Sequence, residues 1–225
     1  MFLSQDKVGI EEWLAFVDNS KLNDIHTKNQ NDFKLVSRLI AKIFLFRCIY
    51  RGPAFAYARD PDFSAVSTSP KYWQDVIDKF FDKYRGLNRR HLQLIQEATT
   101  TGRTISPFGR VHEHSPKANG EWHVPDITNH INQGCGADVM AVARVLTGAR
   151  WEQSKLEGEL ISTVHDSIVF DVPSKNVIPC TKMIHEVFKD LPKAISKAYG
   201  VDWNLPLLCE VGAGNNMKDL TEVQV

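Results

Sequence analysis

The sequence predicts an α+β fold, helices gathered around a small antiparallel sheet, on three observations. Residues 160–173, LISTVHDSIVFDVP, are two apolar, β-rich runs parted by the polar pair His165-Asp166, the pattern of a hairpin with a two-residue tip. Residues 36–50 and 70–84 carry apolar side chains three and four apart, the period of helices with one buried side. GRTISPFGR at 102–110 reads as a turn between two short strands.

The 225 residues suffice to bury a real core, as one large domain or two small ones. Hydrophobic residues make up 43% and charged residues 24%, an ordinary globular balance. No apolar run approaches the ~18–20 residues of a membrane span, and the first residues lack a signal-peptide pattern. No membrane partner is therefore expected. Lys and Arg number 27 and so do Asp and Glu, so any nucleic-acid site must come from local clusters. Cys48, Cys135, Cys180 and Cys209 are scattered without a CxxC pair, which reads as reduced buried thiols of a cytoplasmic protein.

In chain order, residues 2–5 read as the end of a strand running into Asp6. DKVGIEEWLAFV follows as a helix with Ile10, Leu14 and Val17 on one stripe, widened by Trp13 and Phe16. Asp6 is either a carboxylate at a strand end or the N-cap of that helix, a position Asp favours. Residues 19–31 are polar and loop-like. VSRLIAKIFLFRCIY at 36–50 is a strong helix in which Leu39, Ile43, Cys48 and Ile49 can pack inward. Arg38, Lys42, Phe46 and Tyr50 recur on it every four residues, each step about 40° of rotation, so they form one slowly turning stripe. Two cations suit phosphates and two rings suit a base and sugar. Equally, the cations could snorkel to water above buried rings.

Gly52-Pro53 stops this helix, and a loop runs to Ser69-Pro70, where a cap and a first-turn proline start another. Trp73, Val76, Ile77, Phe80, Phe81 and Tyr84 give it a core-facing side. Arg85-Gly86 breaks it before a helix over 88–99, and 111–124 reads as an exposed loop. Residues 126–150 are helical, contain the small-residue stretch GCGAD, and point the amides of Asn129 and Gln133 the same way. After the hairpin, a helix over 176–191 turns Ile178, Met183, Ile184, Val187 and Phe188 to the core, and 207–211 reads as a last strand. No repeat appears, and no linker is long enough to demand two independent domains.

Three of these segments, in this order, resemble the polymerase module of family A DNA polymerases. DKVGIE at 6–11 resembles the family's first acidic motif, Arg38-x3-Lys42-x3-Phe46-x3-Tyr50 its nucleotide-binding fingers helix, and VHDS at 164–167 its palm hairpin motif. DIHT at 24–27, Gly109-Arg110, Asn129-x3-Gln133-Gly134 before Ala137-Asp138, and EVGAGNNM from Glu210 add to the resemblance, which covers nearly the whole chain. It implies palm over 1–22, mainly fingers helices over 23–108 and palm over 109–225, with a small antiparallel palm sheet carrying the catalytic carboxylates.

The resemblance further implies DNA-templated DNA synthesis, transfer of a nucleotidyl group from a dNTP to a primer 3′-hydroxyl. Two Mg²⁺ ions would be held by Asp6, Asp166 and the backbone carbonyl of Lys7, hard oxygens for a hard cation. His26, Arg38 and Lys42 would neutralise the triphosphate, and Phe46 and Tyr50 would pack on base and sugar. Glu11 would exclude a ribose 2′-hydroxyl. Arg110, Asn129, Gln133 and His165 would contact the primer–template, and the cytoplasm of a bacterium or phage-infected cell would be the setting.

Some positions depart from the family pattern. Ser167 replaces a third carboxylate, Arg51 stands where the family has Gly, Glu12-Trp13 replace Leu-Arg, and Pro125 replaces an Arg. Only five residues precede Asp6, so two explanations are expected: a split polymerase whose thumb and exonuclease lie on a separate N-terminal half, or a truncated reading frame. Two other functions stand beside synthesis: a non-catalytic nucleic-acid-binding remnant, and a metal-dependent nuclease using the same aspartates.

Overall fold

Capping residues and aromatic spacing set the helices of the first half. The computed structural model describes residues 3–20 and 22–225. Residues 1–133 and 134–225 form two compact units, the division falling inside one long helix.

In the first unit α1 (Lys7–Asp18) follows a turn at residues 3–5, so the expected strand is not formed there, and Phe2 lies outside the described residues. Its inward side is not the apolar stripe. Gly9 and Glu12 are buried while Leu14 is 45% exposed, because Glu12 finds charged and polar partners inside. The polar stretch expected as loop holds α2 (Ile25–Asp32), N-capped by Asp24. Its composition hides the helix. Asn29 is fully buried and accepts from Lys83 Nζ at 3.0 Å and Tyr84 Oη at 2.9 Å, bonds to a segment more than fifty residues away.

Ser37 caps α3 (Arg38–Ile49), accepting from the Ile40 amide, and the buried row is Ile40, Ala41, Phe44 and Cys48. Leu39, expected inside, is 63% exposed. Two short helices, α4 (Ala54–Arg59) and α5 (Pro61–Ser64), fill the expected loop. Ser69 and Pro70 start α6 (Pro70–Lys83) as anticipated, and Trp73, Val76, Ile77, Phe80 and Phe81 are buried. Phe33, Phe44, Tyr57, Phe63, Trp73 and Phe80 pack as one aromatic cluster: Tyr57 stacks on Trp73 at 5.6 Å, and Phe44 meets Phe80 edge-on at 5.9 Å. Such pairs add about 0.5–1.5 kcal/mol each beyond the area they bury.

Helix α7 (Arg85–Thr101) starts at the place expected to be a break, Tyr84 serving both helices as the boundary residue. Gly86 is there for proximity. A Cβ on it would lie 2.6 Å from the Asp6 Cα. Gly102, at φ 72°, ends α7, and β1 (Arg103–Ile105) pairs antiparallel with β2 (Val111–Glu113) around the anticipated turn. Helix α8 (Val124–Ser154) crosses the division between the units.

The second unit holds the hairpin β3 (Glu159–Val164) and β4 (Ser167–Asp171), then α9 (Val177–Tyr199). Val164 pairs with Ser167, so His165-Asp166 is the two-residue tip; a bulge falls between Leu160 and Ser162. Gly158 enters the hairpin at φ 123°, where a Cβ would collide with the Asp171 carbonyl. Cys180, Met183 and Ile184 of α9 pack with Trp151, Leu156, Phe170, Val172 and Phe188. Ile178, expected inward, is 46% exposed. The last ribbon is β5 (Gly212–Ala213) with β6 (Thr221–Glu222). The strand expected at 207–211 is not formed: the ribbon begins at Gly212, with the Val211 carbonyl accepting from the Val223 amide at 2.8 Å at its end. The α+β class holds, realised among the described residues as three two-stranded ribbons among helices. Among the described residues no helix is long and apolar enough to cross a membrane.

Candidate functional site

The stripe on α3 assembles with α2. Arg38 opens α3, Lys42 and Phe46 follow on its exposed side, and Tyr50 ends it as the C-cap residue, half-buried. The neighbouring His26 of α2 sits with its ring 6.5 Å from that of Phe46. Burial lowers the His26 pKa; Asp24 opposes this, and Arg38 and Lys42 add to it, so the imidazole is kept neutral among cations. Its Nδ1 is buried and has no hydrogen-bond partner among the described residues. Two cations, an imidazole and an exposed ring thus share one neighbourhood, with an arrangement suited to a phosphate chain ending in an aromatic base.

Asp24, which the sequence pattern marked only within DIHT, ties this face together. It accepts from Arg38 Nε and Nη2, both at 2.8 Å, and from the Thr27 amide and hydroxyl. The Arg38 bonds, chiefly, hold its carboxyl well below the usual carboxylate range. A fourteen-residue separation between Asp24 and Arg38 leaves no local signature in sequence.

The two aspartates expected to hold metal have opposite settings, one in each unit. Asp6 is the N-cap of α1, at 4% exposure. Its Oδ1 accepts from the Gly9 amide at 2.9 Å; its Oδ2 accepts from the Gly86 and Leu87 amides at 2.5 and 3.2 Å. Each carboxylate oxygen has two lone pairs, so Oδ2 is saturated and Oδ1 keeps one direction open. In this arrangement Asp6 can offer one contact to a cation and cannot bridge two while it caps. Lys7 begins α1, which draws its carbonyl into the helical ladder. Asp166 stands exposed at the hairpin tip, next to His165 at φ 52°, and no hydrogen bond among the described residues engages its carboxylate. Its oxygens fit a magnesium ligand. Ser167, in place of a third carboxylate, donates to the Val164 carbonyl at 2.8 Å and closes the turn.

The remaining predicted contacts are also spread along the fold. Glu11 is exposed on α1 beside buried Glu12. Burial raises the Glu12 pKa, but bonds from Tyr84, Lys83 and Lys28 outweigh it and the net shift is downward. Arg110 is exposed after the β1–β2 turn, its backbone bonded to Ser106. Asn129 and Gln133 lie one turn apart on α8, Gln133 exposed and Asn129 with a buried Oδ1 lacking a hydrogen-bond partner. All four cysteines are free, and burial pushes the Cys48 thiol up to about 12.

Comparisons with known proteins bear on the whole chain. A family model described as DNA polymerase family A matches residues 13–219, starting after the Asp6–Glu11 segment. The DNA polymerase I of Bacillus caldotenax is 24% identical over 208 residues, covering 80% of this chain and 22% of that protein. A DNA polymerase of Bacillus phage SP01 is 24% identical over 197 residues, 84% of this chain and 21% of the phage protein. The chain thus spans about a fifth of these relatives' length. Among solved structures, the POL domain of Pol1 from M. smegmatis, in complex with DNA primer-template and dNTP, superposes with a TM-score of 0.72 at 20% identity, over 92% of this chain and 35% of that one.

Proposed function

The chain belongs to DNA polymerase family A, and we propose that it carries the dNTP-binding and primer-terminus parts of a DNA-templated DNA polymerase. The observation that carries this reading is the α2–α3 face, where His26, Arg38, Lys42 and Phe46 share one neighbourhood. Arg38 and Lys42 bind the triphosphate oxygens and offset charge as pyrophosphate leaves. Phe46 and Tyr50 pack on the base and sugar, and Glu11 stands against a ribose 2′-hydroxyl. Arg110, Asn129, Gln133 and His165 hold the primer–template through its backbone and minor groove.

Magnesium ions held by Asp6, the Lys7 carbonyl and Asp166 would, when bound, stabilise the transferred phosphoryl group and activate the 3′-hydroxyl. The protein's part is to present Asp166 on a short two-residue turn and to free the Asp6 oxygens from the amides they cap. In this reading the partner is an N-terminal polymerase half that grips the duplex, and the setting is the cytoplasm of a bacterium or phage-infected cell.

Primer extension by the chain combined with such a half tests the reading. Magnesium-dependent incorporation is expected, falling by roughly a thousandfold or more in Asp166→Asn with the fold retained. No incorporation in any reconstituted complex, together with no magnesium-dependent dNTP binding, sinks it. The capped state of Asp6 favours one other reading, a nucleic-acid-binding remnant without catalysis. That reading requires primer–template binding unchanged in Asp6→Asn and Asp166→Asn, without incorporation by the parent chain.

A further inference from the structure

Arg38 is a long side chain, 57% exposed, yet its guanidinium has a fixed place. Asp24 takes its Nε and Nη2 in a two-point ion pair. Asp24 is in turn fixed by the helix it caps, through the Thr27 amide at 2.8 Å and the Thr27 hydroxyl at 2.6 Å. A guanidinium has five N–H donors in one plane. The pair uses one on Nε and one on Nη2, so one hydrogen of Nη1 and the second on Nη2 remain along the outer edge, and the other Nη1 hydrogen lies beside Cδ. That edge is the one that meets a phosphate with two parallel bonds.

Resting on the reading of Arg38 given above, we propose that Asp24 is a positioning residue for nucleotide phosphates: it grips Arg38 side-on, turning the Nη1–Nη2 edge to the triphosphate of an incoming dNTP. A free arginine would lose rotamer freedom when the nucleotide binds; here that loss has already occurred on folding. The Asp24 charge weakens the local positive field, but Lys42 stands on the same stripe without such a partner among the described residues, so charge and orientation are divided between two cations.

The test is magnesium·dATP binding to the full chain by titration calorimetry, for the parent, Asp24→Asn, Arg38→Ala and the double variant. Asparagine still caps a helix but cannot supply a carboxylate's two-point grip. Asp24→Asn is expected to weaken binding roughly tenfold, and the double variant to bind no more weakly than Arg38→Ala alone, because Asp24 acts through Arg38. Arg38→Lys, which leaves the cap untouched and keeps the charge but loses the fork, should show a similar loss. Unchanged or tighter binding by Asp24→Asn overturns the proposal, as does a double variant whose losses add, or an Arg38→Lys that binds like the parent. A parent chain that binds no dATP fails the reading of the site itself, and the proposal with it. Parent binding with a silent Asp24→Asn fails the proposal alone.

Discussion

The aromatic cluster of the first unit and the β3–β4 hairpin of the second use similar apolar residues and reach opposite states. Phe44, Tyr57, Phe63, Trp73 and Phe80 are fully buried and meet ring to ring. On the hairpin Ile161 and Val164 are 55% and 44% exposed, and the ribbon's anchor is Phe170 against Trp151 at 5.0 Å. Two strands alone are marginally stable and leave both edges open to another chain. The two aspartates repeat the contrast: Asp6 is locked by backbone amides, Asp166 stands in the open. The face read as nucleotide-binding therefore rests on rigid packing, and the hairpin tip carries its carboxylate where substitution disturbs little else.

The largest expected effect lies in the cluster. Phe44→Ala should cost about 4 kcal/mol of first-unit stability in urea denaturation; a loss under about 1 kcal/mol would show that the rings repack and end the contrast. An intermediate effect comes from His91, buried on α7. Burial, helped by Arg51, pulls its pKa from 6.5 down to about 3. The unfolded chain then binds the proton more readily, so the contribution is complete above pH 6.5 and fades as pH falls toward 3. Between pH 7 and 5 the loss should be about 2 kcal/mol, and His91→Gln should flatten that slope; equal slopes would assign it to other groups. The smallest effect belongs to the hairpin, where Ile161→Thr should change stability by less than about 0.5 kcal/mol. A loss several times larger would mean that the ribbon is covered rather than open.

What the sequence disclosed follows from which partners are local. Ser69-Pro70, the Trp73 to Tyr84 spacing and the His165-Asp166 tip are decided within a few residues, and the structure has them where the pattern puts them. Helix α2 was hidden because its inward residue is Asn29, whose bonds go to Lys83 and Tyr84. The Leu14 stripe misled because Glu12, with Lys28, Lys83 and Tyr84, makes the polar side the buried one. At the site, steps of four revealed the Arg38 to Tyr50 stripe, whereas the Asp24 grip and the amides holding Asp6 come from distant segments. Periodicity shows which side chains share a face. It is silent on what another element brings to them.

The contact between Gly86 and Asp6 couples two distant sequence positions. The hydrogen bond joins residues eighty apart, and a loop of that length costs about 4 kcal/mol to close. Its closure depends on the helices in between having already drawn the ends near. The identity of residue 86 is thus dictated by backbone eighty positions earlier: any side chain there would displace the first turn of α1. The dependence runs one way: a side chain at residue 86 would push Asp6 off the Gly86 and Leu87 amides, whereas the Asp6 Cα demands glycine at 86 whatever side chain position 6 carries.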